Sequence, residues 1–159
     1  MAKQILKGFT MLTLIIGLSF VSSVVSANGQ SSTTRASAQI PFEFLVGDRS
    51  LPSGKYTVST ATRAGDVLMI KNADTNRAAV RLTNVMQPKG DKTQARLVFH
   101  RYGQRYFLSE VWMGRDSSGY QLLKSRQERS VERELAAVVS KSEFAQVAYE
   151  RIEIAATLR

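Results

Sequence analysis

The sequence predicts a mainly β fold, a single antiparallel β-sandwich or small barrel of about six or seven strands with one α-helix in its C-terminal half. The first observation is that two strand patterns flank a glycine-containing turn in residues 93–113. The second is a similar hairpin pattern over residues 66–85. The third is that apolar residues recur at helical spacing over residues 126–139.

Residues 93–113 predict a central hairpin, because two alternating runs are separated by Tyr102 and Gly103. Symmetric pairing about that turn predicts these cross-strand pairs: Phe99 with Tyr106, Leu97 with Leu108, and Val98 with Phe107. Both faces of the hairpin are then largely apolar. A hairpin of this kind must be covered on both sides, so we expect it inside the domain.

The N-terminus has the pattern of a secretory leader. Lys3 and Lys7 form a positive region, an apolar run follows, and small residues precede a cleavage site after Ala27. We therefore predict a cleaved signal peptide over residues 1–27, with an uncleaved membrane anchor as the alternative, and no transmembrane segment in the mature chain. Residues 28–37 lack a hydrophobic period and predict a flexible lead-in. One β-rich domain is predicted over residues 38–159.

The opening of this domain predicts two strands joined by a tight turn. Residues 38–46 alternate with Ile40, Phe42 and Phe44 on the inner side, and Pro41 favours an edge position because it has no N–H to donate. Residues 51–54 fit a type I turn, with proline at the second position and glycine at the fourth. Alternation then resumes over residues 55–59.

Three stretches carry a resemblance to a known group of proteins. They are PFEFLVGDRSLPSGKYTV (41–58), YFLSEVW (106–112) and LLKSRQERSVERELA (122–136). Together they resemble the pattern of small exported β-rich proteins of soil bacteria, a family for which no activity, substrate or cofactor is established. The resemblance implies a fold and an exported location, and it carries no binding residue over to this chain.

The remaining elements follow from local pattern. The second hairpin turns at residues 72–76, and symmetric pairing sets Leu68 by Val80 and Ile70 by Ala78 on the inside. Short turns between successive strands favour an antiparallel meander. Ser125, followed three residues later by Glu128, is a capping-box pattern that predicts the start of the helix. Residues 144–158 favour a final strand, with a helix as the alternative.

The chain is basic, with a formal net charge of +9 to which the leader contributes only two lysines. A basic surface on an exported domain attracts an anionic envelope polymer or a lipid surface, and export disfavours specific nucleic-acid binding. A stripe of strand residues is the candidate binding set. Its members are Lys71, Arg77, Arg81, Arg96, Arg101 and Arg105. The alternative for each residue is that it lies on a solvent-exposed strand face and binds no ligand.

Catalytic and metal chemistry find little support in the sequence. The chain has no cysteine and one histidine, which excludes disulfides and thiolate sites. His100 stands beside Arg101 and Arg105, and we expect a hydrogen-bonded turn residue there. Glu43 and Glu110 are the candidates for an acid/base pair, although nothing in the sequence places them together. No catalytic residue, metal site or cofactor is predicted.

Two functional hypotheses follow. The first is an exported, non-catalytic β module with a binding or structural role in the cell envelope or outside the cell. The second is recognition of anionic ligands, either acidic polysaccharide or lipid headgroups, through the basic strand face. A small hydrophobic ligand inside a barrel is a further alternative, which needs more strands than the patterns predict.

Overall fold

The computed structural model describes residues 34–62, 64, 66–87, 94–114, 118–138 and 149–158, and every structural statement here concerns those residues. They form eleven strands and one helix. The strands are β1 (Arg35–Ile40), β2 (Phe44–Val46), β3 (Arg49–Leu51), β4 (Gly54–Thr60), β5 (Val67–Asn72), β6 (Ala78–Met86), β7 (Arg96–Tyr102), β8 (Arg105–Trp112), β9 (Gly119–Leu122), β10 (Glu150–Ala155) and β11 (Thr157–Leu158). The helix, α1, spans Arg126–Val138.

The eleven strands belong to one sheet, whose main path runs β10-β7-β8-β9-β6-β5-β4-β1-β11. Two antiparallel meanders, β4-β5-β6 and β7-β8-β9, make up most of it. Strand β6 joins them, because its first half pairs with β5 and its second half with β9. Off this path, β2 pairs with β3 and makes one parallel contact with β8, Leu45 to Phe107.

The two ends of the path are held by one short segment of chain. Strand β10 pairs with β7, and β11 pairs with β1 through Ser37 and Thr157. Only Ala156 separates β10 from β11, and its N–H donates to the Ala95 carbonyl at 2.9 Å. The C-terminal segment therefore links β7 to β1.

The core lies between the inner faces of these strands. Its largest members are aromatic and aliphatic side chains with no exposed surface, among them Tyr56, Phe44, Phe99, Ile70 and Leu97. The rings of Phe44 and Phe99 meet edge to face, with centroids 5.4 Å apart. Protein side chains therefore occupy this part of the interior, where a small hydrophobic ligand, the further alternative given by the sequence, would have to lie.

A second, smaller cluster packs under the helix. Tyr102 and Phe107 of the β7–β8 hairpin contact Val131, and Leu45 and Leu135 flank them. Since Leu97 and Phe99 point into the main core, the central hairpin is buried on both faces. This confirms the prediction that other elements cover it on both sides.

The predicted register of the central hairpin is wrong. Phe99 lies opposite Leu108, Leu97 opposite Val111, and Val98 opposite Glu110. The turn residues are Gly103 and Gln104, and Gly103 has the φ of +60° that a type II′ hairpin turn requires at its first central position. A register shift between Val98 and Phe99 then moves the remaining pairs by one more residue.

The register of the β5–β6 hairpin is also wrong, by one residue. Ile70 lies opposite Ala79, and Leu68 lies opposite Arg81. The buried Asn72 side chain determines this, because its Oδ1 accepts from the N–H groups of Asp74 at 2.9 Å and Thr75 at 2.8 Å. Arg81 consequently lies across from a buried leucine.

The predictions for the start of the domain need three corrections. Strand β1 begins at Arg35, so the predicted flexible lead-in is wrong for residues 35–37. The single strand predicted over residues 38–46 is two, β1 and β2, separated where Pro41 cannot donate a ladder hydrogen bond. The predicted count of six or seven strands is too low, because β2, β3, β9 and β11 are only two to four residues long.

The C-terminal elements agree with the sequence patterns. Helix α1 begins at Arg126, and Ser125 Oγ accepts from the Glu128 N–H at 3.0 Å, as the capping pattern predicts. The final segment is β-structure over residues 150–155 and 157–158. The predicted leader with its cleavage after Ala27, residues 28–33 of the lead-in, and residues 139–148 lie outside the described residues.

Candidate functional site

The six basic residues of the predicted stripe divide between two hairpins. Lys71, Arg77 and Arg81 belong to the β5–β6 hairpin, and the other three belong to β7 and β8. Strand β9 lies between these hairpins in the sheet order. The six residues therefore do not follow adjacent strands, although Lys71, Arg77 and Arg105 are exposed as predicted.

Two members of the stripe are engaged by other side chains. Arg96 is only 9% exposed, lies over the Trp112 ring at 5.0 Å, and places Nε 3.4 Å from Glu153 Oε2. Arg101 donates from Nη1 to Glu150 Oε2 at 3.0 Å and from Nε to the Gly103 carbonyl at 2.8 Å. Arg101 is paired with Glu150, and Arg96 is buried although its Nε and Nη2 have no hydrogen-bond partner among the described residues. Neither is therefore presented to a ligand at the surface.

Cations converge instead on a groove beside the start of α1. The groove has a volume of about 700 Å³. Three segments line it: the turn between β2 and β3, the β5–β6 hairpin, and the chain that leads from β9 into α1. Among the described lining residues are four cations, Arg81, Lys124, Arg126 and Arg129, and one acid, Asp48.

Arg81 is held in the groove by the turn between β2 and β3. Its Nε donates to the Val46 carbonyl at 3.1 Å. Gly47 follows in the left-handed region, and a Cβ built there would lie 2.1 Å from Arg81 Nε. Within the described residues, the terminal Nη atoms of Arg81 have no hydrogen-bond partner, so they remain free to donate.

The start of α1 supplies the other cations. Lys124 pairs with Glu132 at 2.7 Å, and Arg129 donates from Nη1 to the Lys124 carbonyl. Arg126 is exposed and has no ion pair among the described residues. Cations in the first turn oppose the helix dipole, whose N-terminal end is positive. Asp48 partly offsets this, since its Oδ1 lies 3.4 Å from the Gln127 N–H. Glu128, the acidic residue of the first turn, is directed at His100 and does not line the groove.

The rest of the groove wall is apolar. Val67, Val80, Leu82 and Leu123 line it together with the cations. Leu82 is 64% exposed and Leu123 is 60% exposed, which are high values for leucine. The groove therefore presents positive charge and unburied aliphatic surface side by side.

A buried polar cluster connects α1 to β7. Glu128 Oε1 lies 3.2 Å from His100 Nδ1 and 3.4 Å from the Tyr102 hydroxyl. The Tyr149 ring stacks on the His100 ring with centroids 3.8 Å apart. Burial, with the nearby charges of Glu128 and Glu132, raises the pKa of Tyr102, which therefore stays protonated and can donate. The cluster fastens the helix to the hairpin.

His100 is therefore not the turn residue that the sequence predicts. It lies inside β7, two residues before the strand ends at Tyr102, and its side chain is buried. The sequence predicted a hydrogen bond for His100, and the structure has one to Glu128. It did not predict a position inside a buried strand. Burial of His100 follows from the packing of α1, whose Glu128 lies 3.2 Å from its Nδ1, and of Tyr149, which stacks on its ring.

Glu43 and Glu110, the candidate acid/base pair, are held by different partners. Glu110 accepts two bonds from Arg151, at 2.9 and 3.1 Å, and one from Trp112 Nε1 at 2.8 Å. Glu43 is exposed and accepts from the Ser50 hydroxyl. Burial opposes ionisation of Glu110, but the bonds from Arg151 and Trp112 outweigh it and lower the pKa of this carboxyl. Neither group is presented as an acid/base partner of the other.

The described residues bring together no group of three or more His, Asp or Glu side chains suited to holding a metal. No helix in the described part of the chain has the length and apolarity to cross a membrane. Comparisons with known protein families, with curated proteins and with solved structures find no match for this chain.

Sequence reasoning missed Lys124, Arg126 and Arg129 as candidate binding residues. A signal was present, because three cations within six residues surround the predicted start of a helix, where acids are usual. Arg81 was among the predicted binding residues because it belonged to the basic strand stripe. Its grouping with the other three depends on the β2–β3 turn, which no local pattern reveals.

Proposed function

We propose that the protein is an exported, non-catalytic β module that binds an anionic ligand in the cell envelope or outside the cell. The observation that carries this proposal is the convergence of Arg81, Arg126 and Arg129 on one groove with a single lining acid. Lys124 also lines the groove, and its charge is paired with Glu132. An anion there would compensate the dipole of α1 and bind the free Nη atoms of Arg81. The groove replaces the strand stripe as the binding surface.

The chemistry of the groove supports binding rather than catalysis. Its hydroxyl, Ser125 Oγ, is engaged as the helix cap. The buried His100 and Glu128 are directed at each other and at Tyr102 rather than lining the groove. Guanidinium and ammonium groups are suited to holding carboxylate or phosphate oxygens.

The architecture that we propose for this module is a small barrel. It is supported by the C-terminal segment, which pairs with β7 through β10 and with β1 through β11 and so gives both ends of the sheet a partner. Closure of this kind removes exposed strand edges. A closed barrel would also keep the β2–β3 turn fixed against β6, so that the Val46 carbonyl can accept from Arg81.

Export is part of the proposal, and it is supported by the leader pattern at the N-terminus and by the resemblance to small exported proteins. Secretion with cleavage after Ala27 leaves a mature chain that begins at Asn28. Mass spectrometry of the protein recovered from the periplasm or the medium measures this directly. Retention of residues 1–27 on the recovered protein would contradict it.

The binding proposal is tested with a soluble polyanion, polygalacturonate, by isothermal titration over a series of salt concentrations. Substitution of Arg126→Gln together with Arg129→Gln should weaken binding by about tenfold or more, because two charge-assisted contacts are lost. The matched control is Lys71→Gln with Arg77→Gln, which removes the same charge from the exposed β5–β6 hairpin.

The control variant should bind within about twofold of the unsubstituted protein, after allowance for the general effect of net charge. Equal losses in both variants would attribute binding to overall charge and would reject the groove. Binding by the unsubstituted protein that does not weaken with added salt would reject the anionic ligand itself.

A further inference from the structure

Unburied aliphatic side chains cover the outer face of the β5–β6 hairpin. Val67 lies directly opposite Leu82, and Met69 lies directly opposite Val80. Cross-strand pairs share one face, so these four side chains form a continuous patch. Leu123 stands on the other wall of the groove. Val80, Leu82 and Leu123 are 55%, 64% and 60% exposed.

This patch, Val67, Met69, Val80, Leu82 and Leu123, is bordered by the cations of the groove. Arg81, which lies opposite the buried Leu68, is on the other face of β6 and reaches the groove beside the β2–β3 turn. Lys124 follows Leu123 directly in the chain. Arg126 and Arg129 begin the helix next to it. Aliphatic side chains that project into solvent with cations around them match a bilayer interface, which has acyl chains beneath anionic headgroups.

We propose that this face docks on a lipid bilayer surface that carries anionic headgroups, with Leu82 and Leu123 entering the interface and Arg126 and Arg129 meeting headgroup phosphates. The proposal rests on the proposed function and names the source of the anion. The cations of the groove and the exposed leucines then bind the same partner, because the headgroup and acyl regions of a bilayer lie within a few ångströms of each other.

Two other occupants fit the patch less well. A soluble acidic polysaccharide satisfies the cations and gives the projecting leucines no apolar partner. A second copy of this chain, packed by two-fold symmetry, would bring Arg126 and Arg129 toward the same cations of its partner. Like charges at an interface oppose association. The bilayer satisfies both the charge and the apolar surface.

The test uses the mature chain and sedimentation with two kinds of vesicle, phosphatidylcholine alone and phosphatidylcholine with phosphatidylglycerol. Binding should require the anionic lipid. Substitution of Leu82→Ser with Leu123→Ser should weaken binding to the anionic vesicles by about tenfold or more, because both inserted side chains are lost. The same variant should bind polygalacturonate as the unsubstituted protein does.

The matched control is Val85→Ser, which removes an exposed aliphatic side chain of β6 that does not line the groove. It should leave vesicle binding unchanged. A second readout uses Leu82→Trp, whose fluorescence should shift to the blue on anionic vesicles. Trp112, the one natural tryptophan of the chain, is buried, so its signal should change little.

The outcomes separate the two proposals. Unchanged vesicle binding by the leucine variant, or no blue shift for Leu82→Trp, would overturn bilayer docking and leave polyanion binding standing. Self-association of the unsubstituted protein that the leucine variant abolishes would replace the bilayer with a second copy. Failure to bind both polygalacturonate and anionic vesicles would overturn both proposals.

Discussion

Glu128 of α1 places its carboxylate 3.2 Å from the imidazole of His100 in β7, and both side chains are buried. The same residue donates its N–H to Ser125 Oγ at the helix cap. One residue therefore both starts the helix and attaches it to the central hairpin. Arg126 and Arg129 lie on the same first turn of α1, so the contact between Glu128 and His100 also fixes the positions of these two cations in the groove.

Substitution of Glu128→Ala should destabilise the protein by about 1–3 kcal/mol, because it leaves His100 Nδ1 and the Tyr102 hydroxyl without their buried acceptor. Urea unfolding measures this. The control is Glu134→Gln on the same helix, an exposed carboxylate that bonds only Ser130 among the described residues. A loss for Glu128→Ala no greater than for the control would contradict the anchoring role.

The pair formed by Glu110 and Arg151 should make stability depend on pH on the acid side. The folded state lowers the pKa of Glu110 below its ordinary 4.5, so the stabilisation is complete above that pH and is lost as the pH falls through the lowered value. The urea midpoint of the unsubstituted protein should therefore drop on acidification below about pH 4.5.

In the Glu110→Gln variant, this acid-side drop should become shallower, because the titrating group is gone. Glu43→Gln removes an exposed carboxylate of the same type and serves as the control. Parallel pH profiles for the Glu110→Gln variant and the unsubstituted protein would show that the pair contributes nothing to the acid dependence.

Local patterns predicted the elements because their causes are local. The alternation of β7 and β8 and the cap at Ser125 depend on residues that are close in sequence, and both are present in the structure. Registers were missed because they depend on backbone conformations that composition does not reveal. The positive φ of Gly103 and the shift after Val98 each move the pairing of a whole strand.

The groove could not be predicted from the sequence, because its cations come from segments far apart in the chain. Arg81 and Arg126 are separated by 45 positions, and they line one groove because β6 pairs with β9 and because the β2–β3 turn holds Arg81. A meander in sequence order would have kept them apart. Prediction of the site therefore required the sheet order, which the strand patterns leave open.

Substitution of Gly119→Ala should destabilise the protein by about 1–3 kcal/mol through overpacking. A Cβ at this position would lie 2.6 Å from the Trp112 ring, which is buried and donates to Glu110. Tryptophan fluorescence and urea unfolding measure the effect. In a double-mutant cycle, Trp112→Leu should relieve most of the cost, and additive losses would refute direct contact between the two positions.

The last prediction compares two glycines that have nearly the same positive φ. Gly47 has φ +65° and Gly103 has φ +60°, so alanine at either position should cost about 1–2 kcal/mol of stability from left-handed strain. They differ in their surroundings. A Cβ at Gly47 would meet the Arg81 guanidinium, whereas one at Gly103 would meet nothing within 4 Å.

Gly47→Ala should therefore displace Arg81 and weaken polygalacturonate binding by about fivefold or more, while Gly103→Ala should lower stability by a similar amount and leave binding unchanged. Titration calorimetry and urea unfolding of both variants separate the two effects. Equal binding by the two variants would mean that Arg81 does not contact the ligand, and the groove would then depend on the cations of α1 alone.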